Sequence, residues 1–230
     1  MIPIHDDNPT NISPYVTYLL IICCILVFIW ELSLAGQLQG AFYSLGVIPA
    51  VLIGDGQLPP QFALVPAWLS IFTSMFMHGG WMHLLGNVLY LWVFGNNIED
   101  AMGHGKFILF YLLCGIAAVF AQAIPDPNSV VPMIGASGAI SGVLGAYLLL
   151  YPHAKVLIAI PLGIVFYTTR VPAVFVLLFW FGMQIVSSSV TEDQQGGVAF
   201  GAHVGGFLTG MLLVPFFRNS GHPLHYFWRR

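Results

Sequence analysis

The chain has 230 residues, of which 58% are hydrophobic and only 7% charged; a soluble domain carries roughly 25% charge, so the composition excludes one and points to a polytopic membrane protein. With a net charge of −3 and only six basic residues, nothing suggests nucleic-acid binding, and no nucleic-acid partner is expected. Cys23, Cys24 and Cys114 all fall in apolar runs and read as small buried hydrophobes, not as a disulfide framework or a zinc site.

Residues 1–13 carry Asp6 and Asp7 and no Lys or Arg, and are expected to form a short cytoplasmic tail. The apolar run behind them is too long, and its start too acidic, for a cleaved signal peptide, so it reads as a retained span over 15–34. The connection 36–67 is broken by Gly46, Pro49, Gly54, Gly56, Pro59, Pro60 and Pro66 yet stays apolar, which predicts a segment embedded at the interface or packed on the protein. A second span is expected over 80–98 and a third over 107–124, followed by a Pro125-Asp126-Pro127-Asn128 loop. The fourth begins at Ser137 and ends near Tyr151, visibly short of the roughly 20 residues a bilayer needs. The apolar stretch 156–167, with Pro161 and Gly163, is shorter still and reads as an interfacial or re-entrant loop. The fifth and sixth spans are expected over 172–188 and 198–217, before a short cytoplasmic tail, 218–230.

The expected architecture is thus all-α, a single six-helix membrane domain over 14–217. With six spans, Lys106, Lys155, Arg170, Arg218, Arg229 and Arg230 all fall on one side, which places both termini in the cytoplasm. Counting 156–167 as a seventh span would divide them.

Spans two, four and six then run from outside to inside. Asn87 and His203 lie a few residues into their spans, at about 1.5 Å of depth per residue, and Ser137 opens a span too short to reach the outer surface. Three polar features from distant parts of the chain converge on one layer. Gly138 and Gly142 on span four face Ala202, Gly206 and Gly210 at four-residue spacing on span six, two small-residue faces suited to close approach.

A serine hydroxyl needs a general base before it attacks a carbonyl, and a neutral imidazole suits that task. Ser137 alone reads as a packing or helix-start residue; a histidine inside a span is costly and marks function. The nine acidic residues all fall in tails, loops or span ends, Glu31 among the last, so the acidic member of a triad is missing and the pair is read as a Ser137/His203 dyad. Asn87, His83 one turn earlier, and the Ser137 backbone N–H are the candidate oxyanion donors. Gly135 and Gly138 leave a substrate backbone room beside the serine. No histidine is followed by glutamate, which excludes the H-E-x-x-H zinc motif, and no pair of intramembrane carboxylates exists for aspartyl chemistry. His78, His83 and His104 do not share a depth, and no metal or cofactor is expected.

His78-Gly79-Gly80-Trp81-Met82-His83-Leu84-Leu85-Gly86-Asn87, Gly135-Ala136-Ser137-Gly138 and Ala202-His203-Val204-Gly205-Gly206 with Gly210 together resemble the motifs of the rhomboid intramembrane serine proteases, over residues 74–217. The resemblance implies a six-helix bundle opened outward by a water-filled cavity, Ser137 as nucleophile, His203 as base, and His83 and Asn87 as oxyanion stabilisers. Single-pass membrane proteins cut in or near their transmembrane segments would be the substrates, and a multi-pass protein of a cell membrane, of bacterial inner-membrane type, the setting. The chain departs from many members in lacking a Trp-Arg pair in the first long loop, and from some in having Ser141 where a tyrosine stacks on the catalytic histidine. A non-catalytic rhomboid-like binder or escort of membrane clients is the alternative, and a transporter, for which intramembrane charge is lacking, a third. The polar segment 189–197 is expected to serve as a lid over the site.

Overall fold

The computed structural model describes residues 1–163, 165–190 and 199–224. The protein is mostly helical (63%). The long helices are α1 (Tyr15–Ser33), α5 (Trp81–Met102), α6 (His104–Ala123), α7 (Ser137–Leu150), α8 (Ala173–Val190) and α9 (Phe200–Phe217); α2 (Leu38–Leu45), α3 (Pro49–Leu52) and α4 (Ala67–Thr73) are short pieces of the first long connection. Among the described residues α1, α6 and α9 are long and apolar enough to cross a bilayer by length and composition. Helix α5 has 22 residues, but its last turns carry Asn96, Asn97, Glu99 and Asp100.

The fold is built around α7. At 14 residues it rises only about 21 Å, and its side chains from Gly138 to Leu148 are buried on all sides. Glycine makes this possible at the α7–α9 crossing: a Cβ added to Gly206 would lie 2.0 Å from the Gly138 carbonyl oxygen, and one added to Gly210 would lie 2.0 Å from that of Gly142. The two backbones touch, a contact that only glycine allows. Helices α5 and α6 complete the surround: Phe94 of α5 meets Tyr147 of α7 edge-on, and Phe107, Phe110 and Tyr111 of α6 are fully buried. Leu19, Ile22, Leu26 and Ile29 of α1 and Phe175, Leu178 and Phe179 of α8 point outward, the apolar exterior expected of a protein solvated by lipid.

The polar end of α5 anchors the N-terminal segment. Helix α1 has no side-chain cap of its own. Glu99 supplies one from across the bundle, accepting the Val16 N–H at 2.9 Å and the Thr17 N–H and Oγ1–H at 2.7 Å each. Asp100 accepts the Asn11 and Ile12 N–H groups in the same way. A buried carboxylate is stabilised by this many N–H and O–H donors, and Glu99 also stands at the positive end of α1.

The all-α expectation is corrected by a three-stranded antiparallel sheet in the order β1 (Ile2–Asp6), β2 (Lys155–Leu162), β3 (Val165–Pro172). Residues 1–13 are therefore not a free tail. Strand β1 pairs with β2 in the register Ile2↔Ala159 to Asp6↔Val156, and buried Asp6 accepts a hydrogen bond from Tyr147 Oη. Burial raises the Asp6 carboxyl above its usual range, the Tyr147 bond opposing that rise. The 156–167 loop is a β-hairpin turning at Gly163, whose φ of +67° favours glycine. Its β-branched residues Val156, Ile158, Ile160, Thr168, Thr169 and Val171 explain the strands. Their pattern is almost continuously apolar, so a period-two alternation was not visible.

The connection 36–67 packs on the protein: Val47, Ile48, Pro49 and Ala50 are buried, and Val47 bridges Met133. The C-terminal segment also folds back, with Asn219 N–H on the Ala101 carbonyl and Tyr151 Oη 2.9 Å from His222 Nδ1. Residues 225–230, with Arg229 and Arg230, lie outside the described residues.

Candidate active site

Ser137 is the first residue of α7, entered through a sharp loop. Gly135 adopts φ +124° and donates its N–H to the Ser74 carbonyl at 2.9 Å. A Cβ at position 135 would fall 2.6 Å from His83 Nε2 and 3.6 Å from Ser137 Oγ, so conformation and space both require glycine. The first N–H groups of α7 have no partner within the helix and point back toward this loop.

His203 sits in the first turns of α9 and is 7% exposed. Its Nε2 lies 2.7 Å from Ser137 Oγ. Its Nδ1 lies 2.7 Å from Gln184 Oε1 on α8. The Gln184 amide nitrogen donates to the Trp180 carbonyl one turn earlier, at 3.3 Å. Trp180 and Phe200 flank the imidazole, with ring centroids 5.8 and 6.2 Å away. Ser141, fully buried, turns its hydroxyl back to the Ser137 carbonyl at 2.6 Å. It faces the point where Gly206 crosses α7, where a large side chain has no room. The aromatic neighbour absent at position 141 is supplied from α8 by Trp180.

On α5, His83 Nδ1 accepts the Gly79 N–H at 3.3 Å. The proton of the neutral ring is then on Nε2, beside Gly135. Asn87, one turn on, is 7% exposed and makes no hydrogen bond to Ser137 or His203; its Nδ2 is buried and has no partner among the described residues. An unpaired buried donor costs about 1–3 kcal/mol, a cost that a bound acceptor would remove. Gly138 and Gly206 are at the α7–α9 contact beside the Ser137–His203 pair. A small cavity of about 30 Å³ adjoins Ser137 and is lined by Gly115, Ala118, Gly138 and Ala202 together with Met75 and Met133.

His78 precedes α5 and is 1% exposed; Nδ1 lies 3.1 Å from the Phe76 carbonyl, and its backbone N–H is received by the Glu31 carboxylate at 3.1 and 3.3 Å. Burial first, and the neighbouring His83 second, lower its pKa from 6.5 to about 4. An unfolded imidazole takes its proton near 6.5 while the folded one refuses it until about 4, so the unfolded state gains protons first as pH falls. The contribution of His78 to stability is therefore expected to be constant above pH 6.5 and to decline toward pH 4, by up to about 3 kcal/mol. Unfolding in detergent across this range, compared between the wild type and His78→Gln, isolates that contribution, and the variant is expected to lose less stability toward pH 4; identical slopes would remove His78 as a source.

Gln184 was not singled out from the sequence, although a signal was present. It is the one polar side chain in the run from Ala173 to Ile185, and a polar group there asks for a partner. The proposed lid falls largely on residues 191–198, which lie outside the described residues. Among the described residues no group of three or more His, Cys, Asp or Glu side chains is placed to hold a metal ion.

Residues 66–220 match the profile of the Rhomboid domain. The chain is 29% identical over 204 residues to Rhomboid protease GluP of Bacillus subtilis (strain 168), covering 88% of this chain and 36% of that protein. It is 31% identical over 152 residues to Rhomboid protein 1, mitochondrial, of Saccharomyces cerevisiae, covering 64% and 41% respectively. With Putative rhomboid protease YdcA of B. subtilis it shares 35% identity over 81 residues, 35% of this chain and 40% of that protein. The chain thus spans well under half the length of these three relatives.

Proposed function

The chain belongs to the rhomboid family, and from that premise we propose that it is an intramembrane serine endopeptidase acting through a Ser137/His203 dyad. The observation that carries this reading is the 2.7 Å contact between Ser137 Oγ and His203 Nε2, made by residues from two helices and buried beside a cavity. In the proposed reaction His203 Nε2 takes the hydroxyl proton as Ser137 Oγ attacks the scissile carbonyl. The developing oxyanion is met by the Ser137 N–H, the His83 Nε2–H and the unpaired Asn87 amide. His203 then returns the proton to the leaving amine, and water releases the acyl group by the same steps in reverse.

The substrates are single-pass membrane proteins, with cleavage in or near the transmembrane segment. Amides in a helix are hydrogen-bonded, so the segment must unwind locally, which Gly or Pro near the scissile bond would favour. The small side chains lining the cavity favour a small residue at the bond to be cut. The six long helices are read as six spans in one domain over 14–217, with both termini cytoplasmic, in a cell membrane of bacterial inner-membrane type. Three of them meet the length and apolarity of a span unaided.

A fluorophosphonate probe tests the dyad directly. Reconstituted protein is expected to be labelled at Ser137, with labelling lost in Ser137→Ala and reduced at least about 100-fold in His203→Ala. Absence of label on the folded wild-type protein would turn the reading to a non-catalytic binder of membrane clients.

A further inference from the structure

We propose that Gln184 is the positioning residue of the site, an uncharged third member that sets the tautomer and orientation of His203; this rests on the protease reading above. The chain of hydrogen bonds has one consistent direction. The Gln184 amide N–H groups face the Trp180 carbonyl at 3.3 Å, which leaves Oε1 for the imidazole. An amide oxygen only accepts, so His203 Nδ1, 2.7 Å away, carries the ring proton. Nε2 is then the bare nitrogen, facing the Ser137 hydroxyl at 2.7 Å. This is the one tautomer in which His203 serves as a base toward serine.

The task is the one an aspartate performs in a Ser-His-Asp triad, where losing the correct tautomer is a large part of the penalty for replacing it. Here a carboxylate would be an intramembrane charge in the resting enzyme. An amide holds the same proton without that charge, and stabilises the imidazolium formed on attack less than a carboxylate would. Trp180 and Gln184 lie one turn apart on α8, so a single helix supplies both the acceptor and the aromatic wall of His203.

Two variants and two readouts test the proposal. Gln184→Leu keeps the bulk and removes the acceptor. It is expected to lower kcat about tenfold to a hundredfold with little change in KM. Gln184→Glu keeps an acceptor and adds charge. It is expected to retain more activity than Gln184→Leu and to move the acid limb of the kcat/KM profile to higher pH, because a carboxylate favours the imidazolium. Nitrogen-15 spectra of histidine-labelled protein are expected to show His203 protonated at Nδ1 in the wild type and a tautomer mixture in Gln184→Leu. A purely structural role would lower both variants alike and leave the pH limb in place. A Gln184→Leu enzyme with wild-type kcat, pH profile and tautomer would overturn the assignment. If the wild-type protein shows no Ser137-dependent labelling or cleavage, the protease reading fails, and the tautomer spectra alone then decide whether Gln184 holds His203.

Discussion

Replacing Ser137 by alanine is expected to lower cleavage of a co-reconstituted single-pass substrate by about 10⁴-fold to 10⁶-fold, with no matching loss of stability. Among the described residues the hydroxyl bonds His203 Nε2, while the backbone role of residue 137, accepting the Ser141 hydroxyl, survives the substitution. Groups that act as a unit are not additive. The double variant Ser137→Ala, His203→Ala should therefore cut no more slowly than either single variant. Rates from product gels, set beside unfolding in mixed micelles, separate chemistry from folding; undiminished cleavage by Ser137→Ala would remove the dyad. Residual activity traceable to the oxyanion donors would remain only as a trace above the uncatalysed rate.

The second large effect is expected from Gly206→Val. The new Cβ would meet the Gly138 carbonyl oxygen at 2.0 Å, with the Gly138 carbonyl carbon at 3.0 Å. Both are backbone atoms, which no rotamer change relieves, so α9 must move away from α7. Ser137 and His203 ride on these two helices, Ser137 next to Gly138 and His203 one turn before Gly206. A displacement of about 1 Å is enough to cost about 100-fold in rate, and overpacking costs about 1–3 kcal/mol in stability. Labelling of Ser137 should fall with cleavage under the proposed dyad, because Ser137 loses its contact with His203. Gly206→Ala should show the same sign with a smaller displacement. A Gly206→Val protein with wild-type stability and rate would mean that the α7–α9 contact does not set the Ser137–His203 distance.

Much of the helical framework was legible because lipid leaves few choices: a backbone in hydrocarbon must satisfy itself, so apolar runs become helices. Helices α1, α6 and α9 begin and end within three residues of the expected spans. The short length of α7 was equally plain. The sheet was not, because β2 and β3 read as one apolar stretch with a break at Gly163, and their partner β1 lies about 150 residues away at the other end of the chain. The role of Glu99 and Asp100 was hidden for the same reason. They stand just past the end of the expected span 80–98, where nothing in the sequence names a partner, whereas they cap the segment entering α1.

By itself the sequence determined that this is a membrane protein of the rhomboid family, and it singled out Ser137, His203, His83, Asn87 and the glycines around them, because intramembrane polar residues and close-packing glycines are costly enough to stand out from an apolar background. Only the tertiary structure decided what holds His203. The answer lies on a third helix, at a neutral glutamine that a search for acidic partners passes over, and hydrogen-bond direction exists only once the helices carrying Ser137, His203 and Gln184 are packed together.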